Sequence, residues 1–202
     1  NDGPTDRPAP SLDTLMIQGR QAIVTSVVPL PARLCVPGEN TGPLLAVQFI
    51  NEYPRSIAID SCRFAFIGTD PQGASAAQLE AQVDSVYLYL DRDADAGTIS
   101  AADSLLAAGL MRDGEVQFAC NVLSIGGNGA DATLVVSAKL GLRTCKNGNT
   151  LKFTLADASG VKFDQPVVLS GTFPAQNPAP FTINAFPSSA VFMHPLSGGS
   201  LY

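Results

Sequence analysis

The chain has 202 residues, of which 46% are apolar and 15% charged, with 18 Gly and 15 Pro. That apolar content can bury a core in one large β domain or two small ones, and it excludes a disordered acidic tail. A formal net charge of −6 excludes nucleic acid and anionic membrane surfaces as partners. No apolar run approaches the ~18 residues of a membrane span.

The sequence opens at Asn1 rather than Met, as a processed secretory protein or a fragment would. Residues 1–14 carry three prolines and predict an extended N-terminal arm that runs to residue 19. Strands are expected over 20–28, 44–50 and 57–67. In the last of these Ile57, Ile59, Phe64 and Phe66 put large side chains on one face. The intervening 30–43 stretch is dense in turn residues. Residues 74–82 form the best helical window. Further strands are expected over 83–90, 115–118, 122–125, 132–140, 150–155 and 166–173, with a short helical turn at 103–108. Turns at Gly126–Gly129, 146–149 and 157–160 separate them. Turn signals recurring about every ten residues point to an all-β fold, a β-sandwich of Ig-like or jelly-roll type, over residues 20–173.

The last segment, 174–202, begins with a proline-rich linker, which favours an extended path. Two short alternating apolar runs follow, holding Phe181, Ile183, Phe186, Val191 and Phe192. A solvated tail rarely spends so many large apolar residues. One reading is that this strand tail adds to the open sheet edge of a neighbouring copy and so drives assembly. The other is that it folds back to complete its own sandwich.

The four cysteines, Cys35, Cys62, Cys120 and Cys145, include no C-x-x-C pair, and His194 is the one histidine. That disfavours zinc and c-type haem and favours two disulfides in an oxidising compartment. Of the three connectivities, Cys35–Cys62 with Cys120–Cys145 joins segments nearest in sequence. The alternative is four buried free thiols.

The most specific chemistry lies after the 83–90 strand, in Asp91-Arg-Asp-Ala-Asp-Ala-Gly-Thr-Ile-Ser-Ala-Ala-Asp103. Carboxylates at alternate positions followed by Gly are how a chain cages a hard cation in oxygen, most plausibly Ca²⁺. Asp91, Asp93 and Asp95 take loop positions 1, 3 and 5 of an EF-hand-type register. Gly97 and Asp103 are the remaining ligand positions, and the loop is one residue too long for that motif. The competing reading is a solvated acidic hairpin with no metal.

From Ser85 through the acidic loop to Asp103-Ser-Leu-Leu, then Gly114-Glu-Val-Gln-Phe and Ala132-Thr-Leu-Val-Val-Ser-Ala, the chain resembles the Ig-like β-sandwich modules of secreted prokaryotic surface proteins. The resemblance covers roughly 83–155. It implies an extracellular, non-catalytic, adhesive or architectural module and fixes no ligand.

Catalytic patterns are weak. His194 sits in the apolar tail without a G-x-S-x-G nucleophile motif. Glu52 with Glu115 or Asp60 is the conceivable acid pair for glycoside hydrolysis, and the absence of Trp disfavours a sugar platform. The expectation is a non-enzyme: a calcium- and disulfide-stabilised structural subunit of an extracellular fibre, sheath or surface layer, whose partner is itself. A monomeric adhesin or carbohydrate-binding module that meets a surface glycan or protein is the alternative.

Overall fold

The computed structural model describes residues 21–185, except for the side chains of Asn121 and Val122. The N-terminal arm and, from the tail, Phe186, Val191, Phe192 and His194 lie outside the described residues. In chain order the elements are β1 (Ile23–Val27), β2 (Arg33–Cys35), β3 (Asn40–Asn51), β4 (Ile57–Phe66), α1 (Ala76–Glu80), β5 (Val83–Leu90), β6 (Ser104–Gly109) and β7 (Glu115–Ile125). They continue with β8 (Ala130–Leu140), β9 (Thr150–Leu151), β10 (Phe153–Leu155), β11 (Val161–Phe163), β12 (Leu169–Gly171), β13 (Ala175–Gln176) and β14 (Phe181–Ile183). The fold is all-β.

Three sheets make it. The first runs β12-β1-β3-β8-β5-β6. In the second, β4 pairs along its length with β7 and at successive stretches with β11 and β10, and β13 adds to β10. The third is short, β2-β14-β9.

Period-2 patterning does most of this. In β5 Val86, Leu88 and Leu90 are buried, while Tyr87 and Tyr89 lie side by side on the other face with ring centroids 6.4 Å apart. Within the second sheet, Phe64 of β4 and Phe118 of the adjacent β7 meet with centroids 6.2 Å apart. Pro43 cannot donate to a ladder, and the β3–β8 register slips on both sides of it. Helix α1 is short but closed by a capping box between Ser75 and Gln78.

Buried Asn51 joins the two large sheets. Its Nδ2 donates to the carbonyls of Arg55, Ile125 and Gly126, and its Oδ1 accepts from the Tyr53 amide.

Three expected elements differ, the first being the 150–155 strand, which is split into β9 of the third sheet and β10 of the second. The 103–108 stretch is not a helical turn. Residues 104–109 form β6, whose Ala108 pairs with Tyr87 of β5. Leu and Ala permit helix there, and ladder pairing overrides that weak preference. The two short strands over 115–125 are one strand, β7, interrupted only by a bulge.

The tail also differs from a separate linker and strand. Residues 175–176 pair with β10, and Phe181–Ile183 inserts between β2, to which it runs parallel, and β9. The side chains of Phe181 and Ile183 are buried in the chain's own core. Asn177, also buried, clasps Leu30 from both sides. Its Oδ1 accepts the Leu30 amide at 2.8 Å, and its Nδ2 donates to the Leu30 carbonyl at 3.1 Å. The sandwich therefore extends at least to residue 183 rather than ending at 173.

Removing the Phe181 ring should cost about 3–5 kcal/mol of stability. Leu34→Ala, at a neighbouring but 65% exposed position, should stay within about 0.5 kcal/mol. Urea unfolding of Phe181→Ala and Leu34→Ala checks the contrast, and equal small effects would contradict the seating of β14.

Candidate functional site

The acidic loop is the hairpin connection between β5 and β6. The ladder carries one residue past β5, where the Asp91 amide donates to the Thr133 carbonyl at 3.0 Å. The chain then folds through successive Asx turns, in which a carboxylate accepts from backbone amides just ahead of it. Asp91 Oδ1 accepts from the amides of Asp93 and Ala94. Asp93 Oδ1 accepts from the Asp95 amide, and its Oδ2 accepts from the Ser100 hydroxyl at 2.7 Å. Asp103 closes the loop, accepting from the Arg92 amide at 3.0 Å and the Ser100 amide at 2.7 Å. Ala96 is buried and anchors the loop from below.

Of the five expected ligand positions, the fold brings three together. Single carboxylate oxygens of Asp91, Asp93 and Asp103 lie within 4.8 Å of one another. Asp95 is turned away, with Oδ1 accepting from the Gly97 amide and Oδ2 from the Thr98 hydroxyl at 3.0 Å. The Gly97 carbonyl is taken by Arg33, whose Nη2 donates to it at 3.0 Å.

Arg33 was not singled out in the sequence, because it lies in a turn-rich stretch far from the loop. From β2 it holds the loop, donates weakly to the Thr41 carbonyl at 3.5 Å, and lies over the Phe181 ring at 5.8 Å from the centroid. One guanidinium thus links the acidic hairpin to the inserted β14.

The carboxylates titrate apart. Partial burial pushes Asp91 above its ordinary range, opposed by the Asp93 and Ala94 amides and reinforced by the Asp103 charge. Asp93 is held below its ordinary range, first by the Ser100 hydroxyl and then by the Asp95 amide. Chemically, the convergent set is carboxylate oxygen only, the donor type that hard cations take.

The cysteines all carry free thiols in this structure, and they lie in a different arrangement from the expected Cys35–Cys62 and Cys120–Cys145. Cys62 of β4 stands opposite Phe118 of β7, and Cys120, two residues on, lies near enough for the two thiols to shift each other's titration. Cys145 lies close enough to Cys35 to feel its charge. Cys35 lies in β2 of the third sheet and Cys62 in β4 of the second, while Cys120 lies in β7 of the second sheet and Cys145 in the 141–149 loop, so neighbours in sequence are set apart. Burial pushes Cys35 up to about 11 against the pull of Arg33, and raises Cys145 to about 11 with help from Asp84 and Cys35.

Glu52 and Glu115 line separate surface cavities, and Glu115 pairs with Arg63 at 3.5 Å. No helix among the described residues is long and apolar enough to cross a membrane.

Neither a protein-family model nor a curated protein sequence matches the chain. Among solved structures it is similar to the Hadza microbial sialidase Hz136, with a TM-score of 0.49 and 6% identity over 81% of this chain and 31% of that one. It is also similar to a family 123 glycoside hydrolase from Clostridium perfringens, with a TM-score of 0.37 and 12% identity over 78% of this chain and 23% of that one. A third is AvmM, which catalyses macrocyclization in alchivemycin A biosynthesis, with a TM-score of 0.33, 14% identity, and 84% and 92% coverage. The chain spans about a third of the sialidase's length. At this distance none of the three bears on function.

The opposed shifts have opposite consequences for pH. Asp93, depressed on folding, contributes loop stability above its unfolded value and loses it as pH falls through the lower folded value. Asp91, raised on folding, favours the folded loop below its unfolded value, and that contribution is lost as pH rises through the higher folded value. Carboxyl-carbon NMR titration should therefore place the Asp91 midpoint above the Asp93 midpoint. Ser100→Ala should raise that of Asp93 and leave Asp91 little moved. Coincident midpoints would contradict the hydrogen-bonded loop.

Proposed function

We propose that the chain is a non-catalytic, self-contained β-sandwich module of an extracellular surface protein, with an adhesive or architectural role. The observation that carries this reading is the insertion of Phe181–Ile183 between β2 and β9 of the same chain. A sandwich that supplies β14 from its own chain needs no neighbour to fill that place. Donation of Phe181 and Ile183 to another copy, as in a strand-exchanged fibre, would empty two buried positions here. Low surface charge, the gathering of the cysteines two by two, and the resemblance over 83–155 support an extracellular setting.

Within this reading the acidic hairpin holds a structural Ca²⁺. Asp91, Asp93 and Asp103 supply carboxylate oxygens, and water completes a shell that three side chains cannot fill. The cation neutralises three converging carboxylates and so locks the β5–β6 connection. At a free calcium level a hundredfold above Kd, such a site stabilises by ~2.7 kcal/mol.

Two measurements test this. Sedimentation velocity of the full chain across a wide concentration range should give one species of monomer mass. Growth into larger species with concentration would instead support a self-assembling subunit. Calcium should raise the melting temperature by roughly 5–10 °C over the chelated protein, and Asp103→Ala should abolish the rise. An unchanged melting temperature at millimolar calcium would leave the hairpin a solvated acidic loop.

A further inference from the structure

The four cysteines gather into two pairs, each joining segments remote in sequence. Cys62 of β4 stands opposite Phe118 of β7, and Cys120 follows two residues on along the same inward face. Just beyond, the ladder slips, since Ser61 faces Ala119 while Ile59 faces Leu123. A β-bulge of this kind sharpens the local twist beside the pair. Both cysteines are buried, and each thiol lies near enough to the other to shift its titration.

The second pair forms where β2 ends. The segment after Cys35 is tied to the end of β8 by the Gly38 amide donating to the Leu140 carbonyl at 3.0 Å. The far end of the 141–149 loop is tied to β14, the neighbour of Cys35, by the Gly148 amide donating to the Ile183 carbonyl at 2.9 Å. Held at both ends, this loop carries Cys145 against the core beside Cys35, its thiol donating to the Gln82 carbonyl at 3.4 Å.

We propose that these pairs close as two disulfides, Cys62–Cys120 between β4 and β7, and Cys35–Cys145 between the end of β2 and the 141–149 loop. The oxidant is a small-molecule or protein disulfide. One cysteine thiolate attacks a sulfur of the carrier and expels a carrier thiol. The partner thiolate then attacks the mixed disulfide and expels the second carrier thiol. Two electrons pass to the carrier for each bridge, and the two protons end on the released thiols. In the first pair both sulfurs lie inside the closed core. Burial of that pair places the exchange during folding, before the sandwich closes. The second bridge fixes β2, and with it the strand on which β14 is laid. Both bridges close long loops, where a cross-link restricts the unfolded chain most.

The test needs no knowledge of where the chain resides. The full chain is reduced, unfolded and refolded in a mixture of reduced and oxidised glutathione, then alkylated and mapped as peptides without reduction. The expected result is a Cys62–Cys120 peptide pair, a Cys35–Cys145 peptide pair and no alkylated cysteine. The oxidised protein should melt roughly 5–10 °C above the reduced one. Alkylation of both members of a pair overturns that bridge. Recovery of Cys35–Cys62 with Cys120–Cys145, or an oxidised protein that melts no higher than the reduced one, overturns the proposal as a whole.

Discussion

The constraint on which the rest depends is the return of the chain to lay β14 between β2 and β9. Neither neighbour stands on its own, since β2 has three residues and β9 has two. Strands so short have too few ladder bonds and too little apolar area for independent stability. Phe181 and Ile183 supply the missing area, and their backbone supplies the missing ladder. The Ile183 amide donates to Asn149, and the next amide, from Asn184, donates to Cys35. Of its partners β9 lies about 30 positions back and β2 about 150, so the contact with β2 closes a long loop at a correspondingly large entropic cost. The two-sided clasp of Leu30 by Asn177 holds the returning segment in register without leaving a buried polar group unpaired.

Arg33 extends that constraint to the acidic hairpin. Its guanidinium stacks on Phe181 and donates to Gly97, so the one site with concentrated charge is referenced to the same inserted strand. The hairpin is otherwise internally organised. Each of its four aspartates accepts from groups of the loop itself, which is why the geometry holds although most of the loop is exposed. Convergence of Asp91, Asp93 and Asp103 follows from this folding of the loop, and their opposed titration follows from which donors each carboxylate receives.

Much of the local structure was legible in the sequence. The expected 83–90 strand is β5, the 74–82 helical window holds α1, and D-x-D spacing locates the hairpin and three of its carboxylates. What was not legible is non-local. Nothing in Arg33-Leu-Cys35 announces a strand, because only pairing with β14 makes it one. The Leu- and Ala-rich 104–109 stretch reads as helix until β5 is placed beside it. Asp95 and Gly97 follow the ligand spacing, yet one spends its carboxylate on its own turn and the other its carbonyl on Arg33. Cysteine proximity was misread for the same reason. Sequence distance favours neighbours in the chain, whereas β4–β7 pairing brings Cys62 near Cys120 and the 141–149 loop brings Cys145 near Cys35.

The account rests on β14 being supplied in cis, and amide hydrogen exchange of Ile183 and Asn184 across a hundredfold range of protein concentration tests it most directly. Exchange as slow as that of the central β3 and β8 amides, and independent of concentration, is the predicted result. Protection that falls on dilution would show that the strand is received from another copy, and would contradict the self-contained sandwich.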